Sequence, residues 1–289
     1  MSAAADAGPA TPARREEHRL RIEPASGWPG FGARELWAYR DLWRLLVWRD
    51  LRVRYAQTAL GAAWAVLPPV LTTLLFTVVF GRFVRVPSDG APYAVFAMAG
   101  LVPWTYFSGA LSAAGASTVS SAHLFTKVYF PRLVIPLAPV AAAGVDFGVS
   151  LLLLLALMAA TGIRPLPVAV AAVPLLLLLM MAAAAGVGCW LAALNVRFRD
   201  VKHLTPLLVQ LWMYASPVAY PLSVVPERWR AVYALNPMVG VVEGFRTVLL
   251  GTGTLTPGLL AASAATSVLL LVTGAAYFRA TEDRFADFA

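Results

Sequence analysis

Residues 166–194, LPVAVAAVPLLLLLMMAAAAGVGCWLAAL, make a run of 29 residues without one charged side chain. About 20 apolar residues suffice for a helix to cross the ~30 Å hydrocarbon core of a bilayer. The apolar side chains run all the way round that helix, whereas a surface helix of a soluble protein carries them on one stripe. This stretch is therefore read as a membrane span. Five more regions, 61–83, 93–117, 133–161, 204–225 and 256–278, are long and apolar enough to join it. The region 204–225 is the weakest, because Pro206, Pro217 and Pro221 interrupt it. Proline is tolerated in a span where neighbouring groups satisfy the freed carbonyls. The fold expected is an all-α integral membrane protein with six transmembrane helices, a domain of residues 35–289.

Composition agrees. Hydrophobic residues are 60% of the 289, charged residues only 13%, and the mean hydropathy is +0.71. A soluble chain carries about twice that share of charge. The net charge of +8 implies no nucleic acid here, since excess Lys and Arg in a membrane chain mark cytoplasmic loops. The single cysteine, Cys189, lies in an apolar run and forms no internal disulfide. Residues 1–34 hold Ala, Pro, Gly and charge with no apolar run after their arginines, the composition of a disordered cytoplasmic tail rather than a signal peptide.

Basic residues set the orientation. With six spans and the amino terminus inside, 17 of the 23 Lys and Arg face the cytoplasm and 6 the outside, so both termini are expected in the cytoplasm. Residues 226–251 decide the parity. Asn236-Pro237 is a helix start, a capping side chain followed by proline at the first helical position. The stretch from there to Leu250 is short and carries Glu243 and Arg246 at the i,i+3 spacing of an ion pair. It is read as a re-entrant or interfacial hairpin on the outer side, preceded by a short helix from Pro226 and Glu227 to Ala234. A seventh crossing would send Arg279 and Arg284 outside.

Before the first span, Leu36, Tyr39, Leu42, Trp43, Leu46, Val47 and Val53 share one helical face and Arg40, Arg44, Arg49 and Arg52 the other. Basic residues opposite a Trp- and Leu-rich face mark a helix in the membrane interface. Asp50 and Arg54 intrude on the apolar side.

Catalytic apparatus is not legible. No G-x-x-x-x-G-K-[ST] loop occurs, and Gly251-Thr252-Gly253-Thr254 reads as a turn. His18, His123 and His203 have no metal-ligand spacing, so neither metal nor catalytic site is expected. Asp146, in the middle of the third region, is the one acid well inside a span. An ionisable group there costs at least ~2.5–3.5 kcal/mol and is a functional candidate. Proton relay is one reading; a helix–helix hydrogen bond among Gly144, Gly148 and Ser150 is favoured, because no span offers a basic or second acidic partner. Tyr93, Phe96, Trp104, Tyr106, Phe107, Trp212, Tyr214 and Tyr220 crowd the outer half. An aromatic belt explains most of them; aromatic faces with a polar handle also suit sugar rings, which makes Trp104, Tyr106, Phe107, Trp212, Tyr214 and Tyr220 channel candidates.

Six stretches together resemble one family. They are Arg49-Asp50-Leu-Arg52-Val-Arg54-Tyr55 with Thr58-Ala-Leu60-Gly61-Ala-Ala-Trp64; Gly100-Leu-Val-Pro103-Trp104; Lys127-Val-Tyr129-Phe130-Pro131-Arg132-Leu133; Asn195-Val-Arg197-Phe-Arg199-Asp200; Ser216-Pro217-Val-Ala-Tyr220-Pro221; and Leu235-Asn236-Pro237-Met238 running to Phe245-Arg246. Each is weak alone, but in this order they resemble polysaccharide and polyol-phosphate ABC exporter permeases, the membrane subunits of O-antigen and teichoic-acid export. The resemblance implies six spans, a homodimer around a polymer channel, and a separate ATPase subunit, two copies per complex, that binds ATP and Mg; this chain needs no cofactor. It implies that residues 121–129, with Ser121, His123, Phe125, Lys127 and Tyr129, form the main coupling helix. Residues 196–203, with Arg197, Arg199 and Asp200, form a second cytoplasmic contact. Residues 226–250, with Pro226, Glu227, Asn236, Pro237, Glu243 and Arg246, form an outer gate. It further implies an undecaprenyl-diphosphate-linked polymer as substrate and a place in the bacterial cytoplasmic membrane. The function expected is polymer export; a drug or lipid ABC permease and a proton-coupled carrier using Asp146 are the alternatives.

Overall fold

The structure, a computed structural model, describes residues 33–55, 63–121, 130–198 and 200–282. Most of the expected tail, the coupling residues His123, Phe125, Lys127 and Tyr129, and Arg199 lie outside the described residues. Within them the chain is helical, without a strand. In order come α1 (Ala33–Ala38), α2 (Arg40–Tyr55), α3 (Ala63–Phe76, continued as a π-helix Thr77–Phe83), α4 (Tyr93–Ser120), α5 (Val134–Ala160) and α6 (Ala169–Arg197). Then follow α7 (Val201–Tyr214), a 3₁₀ turn (Leu222–Val224), α8 (Glu227–Ala234), α9 (Pro237–Leu250) and α10 (Pro257–Thr281).

Five helices among the described residues are long and apolar enough to cross a membrane: Ala65–Phe83, α4, α5, α6 and α10. The region expected to be the fifth of six spans, 204–225, does not form one helix. Helix α7 ends at Tyr214, so it rises only about 21 Å. Pro217 and Pro221 lack the N–H that would continue it and push the residues before them out of helical conformation. Turns and the 3₁₀ turn carry the chain to α8.

Helix α4 is the central post: 78% of its apolar window is buried, against 17% for the first span and 33% or less for the others. Its neighbours approach closely because small residues lie at the crossings, the usual means of packing helices in lipid. A Cβ on Gly188 of α6 would fall 2.5 Å from the Ala114 Cβ of α4, and one on Gly274 of α10 only 2.0 Å from the Gly186 carbonyl oxygen of α6. Asn195 donates from Nδ2 to the Gly115 carbonyl at 3.1 Å, joining α6 to α4. Trp190 and Tyr277 stack at 4.2 Å, joining α6 to α10.

The amphipathic helix before the first span is present but broken at Tyr39 into α1 and α2. Leu46 is buried with Val134 and Ala138 of α5, and Leu36, Leu42, Trp43 and Val47 pack around them. Val53, expected on the same face, is instead 74% exposed, because Arg54 and Tyr55 turn toward the bundle. Trp37, Leu45 and Trp48 stay exposed beside Arg40, Arg44 and Arg52, the mixed surface of a helix at a headgroup boundary.

Candidate functional site

Helix α9 and the irregular segment 215–226 form a polar site dense in hydrogen bonds. A helix end away from water must find protein partners for its free N–H groups. Asn236 caps α9 as expected: its Oδ1 accepts from Met238 N at 3.0 Å, with Pro237 in the first turn. The same Oδ1 accepts from Trp212 Nε1 at 2.9 Å, while Nδ2 donates to the Ala215 carbonyl and Ser216 Oγ. Gly240 N donates to Ser263 Oγ of α10 at 3.1 Å. Ser263 is six residues into α10, about 9 Å from its start. Helix α9 therefore packs beside the first turns of α10.

The expected i,i+3 pair is formed on α9. Arg246 NH1 donates to Glu243 Oε1 at 3.2 Å, with both side chains 1% exposed. NH1 also donates to the Tyr220 carbonyl at 3.1 Å and NH2 to the Val218 carbonyl at 2.7 Å. The guanidinium lies 3.7 Å from the Phe96 ring centroid, an attractive cation–π geometry when desolvated. Glu243 Oε2 accepts from Thr254 N at 3.0 Å. Glycine is required there, for Gly251 caps α9 at φ 69° and Gly253 lies at φ 110° beside Glu243 Oε2. Arg246 thus pins the Ser216-Pro217-Val218-Ala219-Tyr220-Pro221 segment to α4 and α9. At the start of α8, Pro226, which precedes it, and Glu227 are exposed.

The channel candidates divide. Trp104, Tyr106 and Phe107 are buried in the core, which removes them from both the lipid belt and an open path within this chain. Tyr106 donates to the Val140 carbonyl at 3.0 Å and meets Phe147 edge-on. Phe107 meets Trp212 edge-on at 5.1 Å. Tyr214 is exposed, and Tyr220 is half-buried; the Tyr220 hydroxyl bonds the Tyr214 carbonyl at 2.8 Å and the Tyr233 hydroxyl at 3.0 Å.

Asp146 is not left among small residues as expected. Arg54 pairs with it and the Tyr55 hydroxyl donates to it. The basic partner missing from the spans comes from α2, through the residue that had seemed misplaced on the apolar face. At the cytoplasmic candidates, Ser121 is buried at the end of α4. Arg197 is exposed with its guanidinium 5.0 Å from the Phe198 ring centroid, and Asp200 precedes α7, where its carbonyl accepts from Leu204 N at 3.1 Å.

Three contributors escape sequence reasoning. Tyr93 donates to the Ala219 carbonyl at 2.7 Å, and Thr254 binds Glu243 through its backbone. Gly100 clears space for the pinned segment, since a Cβ there would lie 2.7 Å from the Val218 oxygen. Each left only a faint signal: Tyr93 as one of the crowded aromatics, Thr254 as the end of an expected turn, and Gly100 as the first residue of a quoted motif.

Residues 41–250 match the ABC-2 type transporter family. An O-antigen export system permease protein (RfbA) of Myxococcus xanthus is 35% identical over 263 residues, 88% of this chain and 97% of that protein. One from Klebsiella pneumoniae is 28% identical, covering 86% of this chain and 94% of its own length. A polysialic acid transport protein (KpsM) of Escherichia coli is 25% identical, covering 81% and 91%.

Proposed function

This chain belongs to the ABC-2 type transporter family, and from that premise we propose that it is the membrane permease of an ATP-driven polysaccharide exporter. The carrying observation is the 35% identity spanning 97% of an O-antigen permease. The finer reading is a lipid-linked polysaccharide or polyol-phosphate substrate, carried on undecaprenyl diphosphate, moved across the bacterial cytoplasmic membrane. ATP and Mg belong to two copies of an ATPase subunit, and two copies of this chain enclose the path. Exposed apolar faces on α3 (Leu71, Leu74, Leu75) and α7 (Leu207, Leu208, Leu211) support a second copy or lipid against them.

We count six crossings, the fifth being α7 with the irregular segment after it, with both termini cytoplasmic and α8–α9 as the outer gate. The 17-to-6 split of basic residues supports this orientation. Glu243 is too buried to label, so a cysteine replacing exposed Arg228 is the probe: an impermeant maleimide added outside labels Arg228→Cys and spares Arg284→Cys. The reverse pattern rejects the six-span count.

Coupling runs through residues 121–129 and 196–203, with Phe125 and Tyr129, one turn apart in a helix, facing the ATPase. Truncating a buried interface aromatic commonly costs ~2 kcal/mol or more. Phe125→Ala with Tyr129→Ala is therefore expected to cut co-purification of the ATPase and ATP-dependent appearance of surface polysaccharide by about tenfold. Unchanged values for both reject the docking role, and export that persists without any ATPase rejects the ATP-driven reading.

A further inference from the structure

Asp146 marks the place where one neighbour of α5 gives way to another. Leu46 of α2 is clustered with Val134 and Ala138 of α5. Eight residues beyond Leu46 is Arg54, and eight beyond Ala138 is Asp146, its partner. Helices α2 and α5 thus advance together in one direction for about 12 Å. Past that point α3 takes over. Ala65, Pro68 and Pro69 share a cavity of about 270 Å³ with Asp146 and Ser150, and Thr73 and Val78 share another with Leu153 and Leu157. Helices α2 and α3 are therefore stacked end to end along one flank of α5, and Arg54, Tyr55 and Asp146 form the joint.

The other side of the joint faces the cytoplasmic end of α4. A cavity of about 440 Å³ lies between Arg49, Val53 and Arg54 on α2 and Ser117, Ser120 and Ser121 on α4. Arg54 lines both cavities. Ser121 is the first residue of the segment assigned to ATPase coupling, and the one of its residues that the structure describes. The first span, meanwhile, has only 17% of its apolar window buried in this chain, so packing does little to fix its inner end. An ion pair with a tyrosine hydroxyl supplies the direction and reach that lipid-facing side chains cannot.

We propose that Asp146 is a positioning residue for transport, clamping Arg54 and Tyr55 at the joint so that α2 and α3 move together along the third span. It acts on the position of a helix, and a proton relay is not required. The transport consequence rests on the export reading above; the clamp itself does not, and the test separates the two.

The test uses the full chain co-expressed with its ATPase, with Cys189→Ala as background. Val53→Cys with Ser117→Cys places a thiol on each wall of the α2–α4 cavity, and a short bis-maleimide reports whether α2 keeps its place. Asp146→Asn and Arg54→Gln are each expected to lower cross-linking several-fold and export, per folded molecule, about tenfold, because each strands one charge in the membrane. Joining them removes both charges while keeping hydrogen bonding, and is expected to restore both readouts to within about threefold of the parent. Tyr55→Phe falls between. Asp146→Asn that abolishes export with full cross-linking overturns the proposal in favour of a relay. Cross-linking lost with export unchanged, or a folded double variant that recovers neither readout, also overturns it. If the parent itself exports no polysaccharide, the export reading fails while the cross-linking arm still reports on the joint.

Discussion

Two intramembrane ion pairs hold this molecule in different ways. Glu243–Arg246 is 1% exposed on both sides, and its guanidinium is shared among a carboxylate, two backbone carbonyls and an aromatic face. Asp146–Arg54 leaves about a third of each side chain open (33% and 34%) and lies between two cavities. A pair sealed from water is tolerable only in one geometry, because every displaced hydrogen bond is lost without replacement. A pair with open space on both sides has room to shift together with its helices. The first is a frame that holds α9 to the segment before it; the second is the joint at which, on the proposal above, α2 and α3 move together.

The largest expected effect tests that contrast directly. Arg246→Met leaves Glu243 buried with only the Thr254 N–H and frees the Val218 and Tyr220 carbonyls. Breaking a sealed pair from one side costs ~3–5 kcal/mol, enough to consume much of a typical folding stability. Thermal unfolding of purified protein in detergent is expected to show little folded Arg246→Met. Arg54→Met, at the pair left about a third open, is expected to cost less than Arg246→Met while still impairing export. Equal losses of stability at the two sites would erase the distinction between frame and joint.

The sequence made the frame legible in outline and hid the joint. Asn236-Pro237 announced the start of α9, and the spacing of Glu243 and Arg246 announced their pair, since both are local rules of one helix. The orphaned carbonyls that Arg246 satisfies lie 26 and 28 residues away, and no periodicity points to them. Arg54 seemed an error on an apolar face because its partner, Asp146, lies 92 residues further on. Each was the missing half of the other's explanation. The expectation of one continuous helix over 204–225 fails for another reason. Hydropathy registers apolar content and not backbone donors, so it does not show where α7 stops, whereas Pro217 and Pro221 cannot extend it past Tyr214. The buried Trp104, Tyr106 and Phe107 were assigned to a belt by composition alone; their place depends on α4 being the central helix, which only packing reveals.

The smallest effect concerns the edge of the frame, at Tyr93. Its hydroxyl donates to the Ala219 carbonyl at 2.7 Å, and its ring packs 5.9 Å from Phe96 and against Gly81 at the end of the π-helix. Tyr93→Phe keeps the ring and deletes one hydrogen bond. Between membrane helices such bonds average ~0.6 kcal/mol and reach ~1.7 at most. The remaining anchors of segment 216–221, Arg246 and Asn236, are untouched. Unfolding is therefore expected to shift by about 0.6 kcal/mol, and export per folded molecule to change less than about threefold. Tyr93 joins the first span to the frame, as the Asp146 joint joins it to α2. If Tyr93→Phe abolished export while leaving stability intact, the outer end of the first span would also be a moving contact, and the hairpin would be a frame only around Arg246.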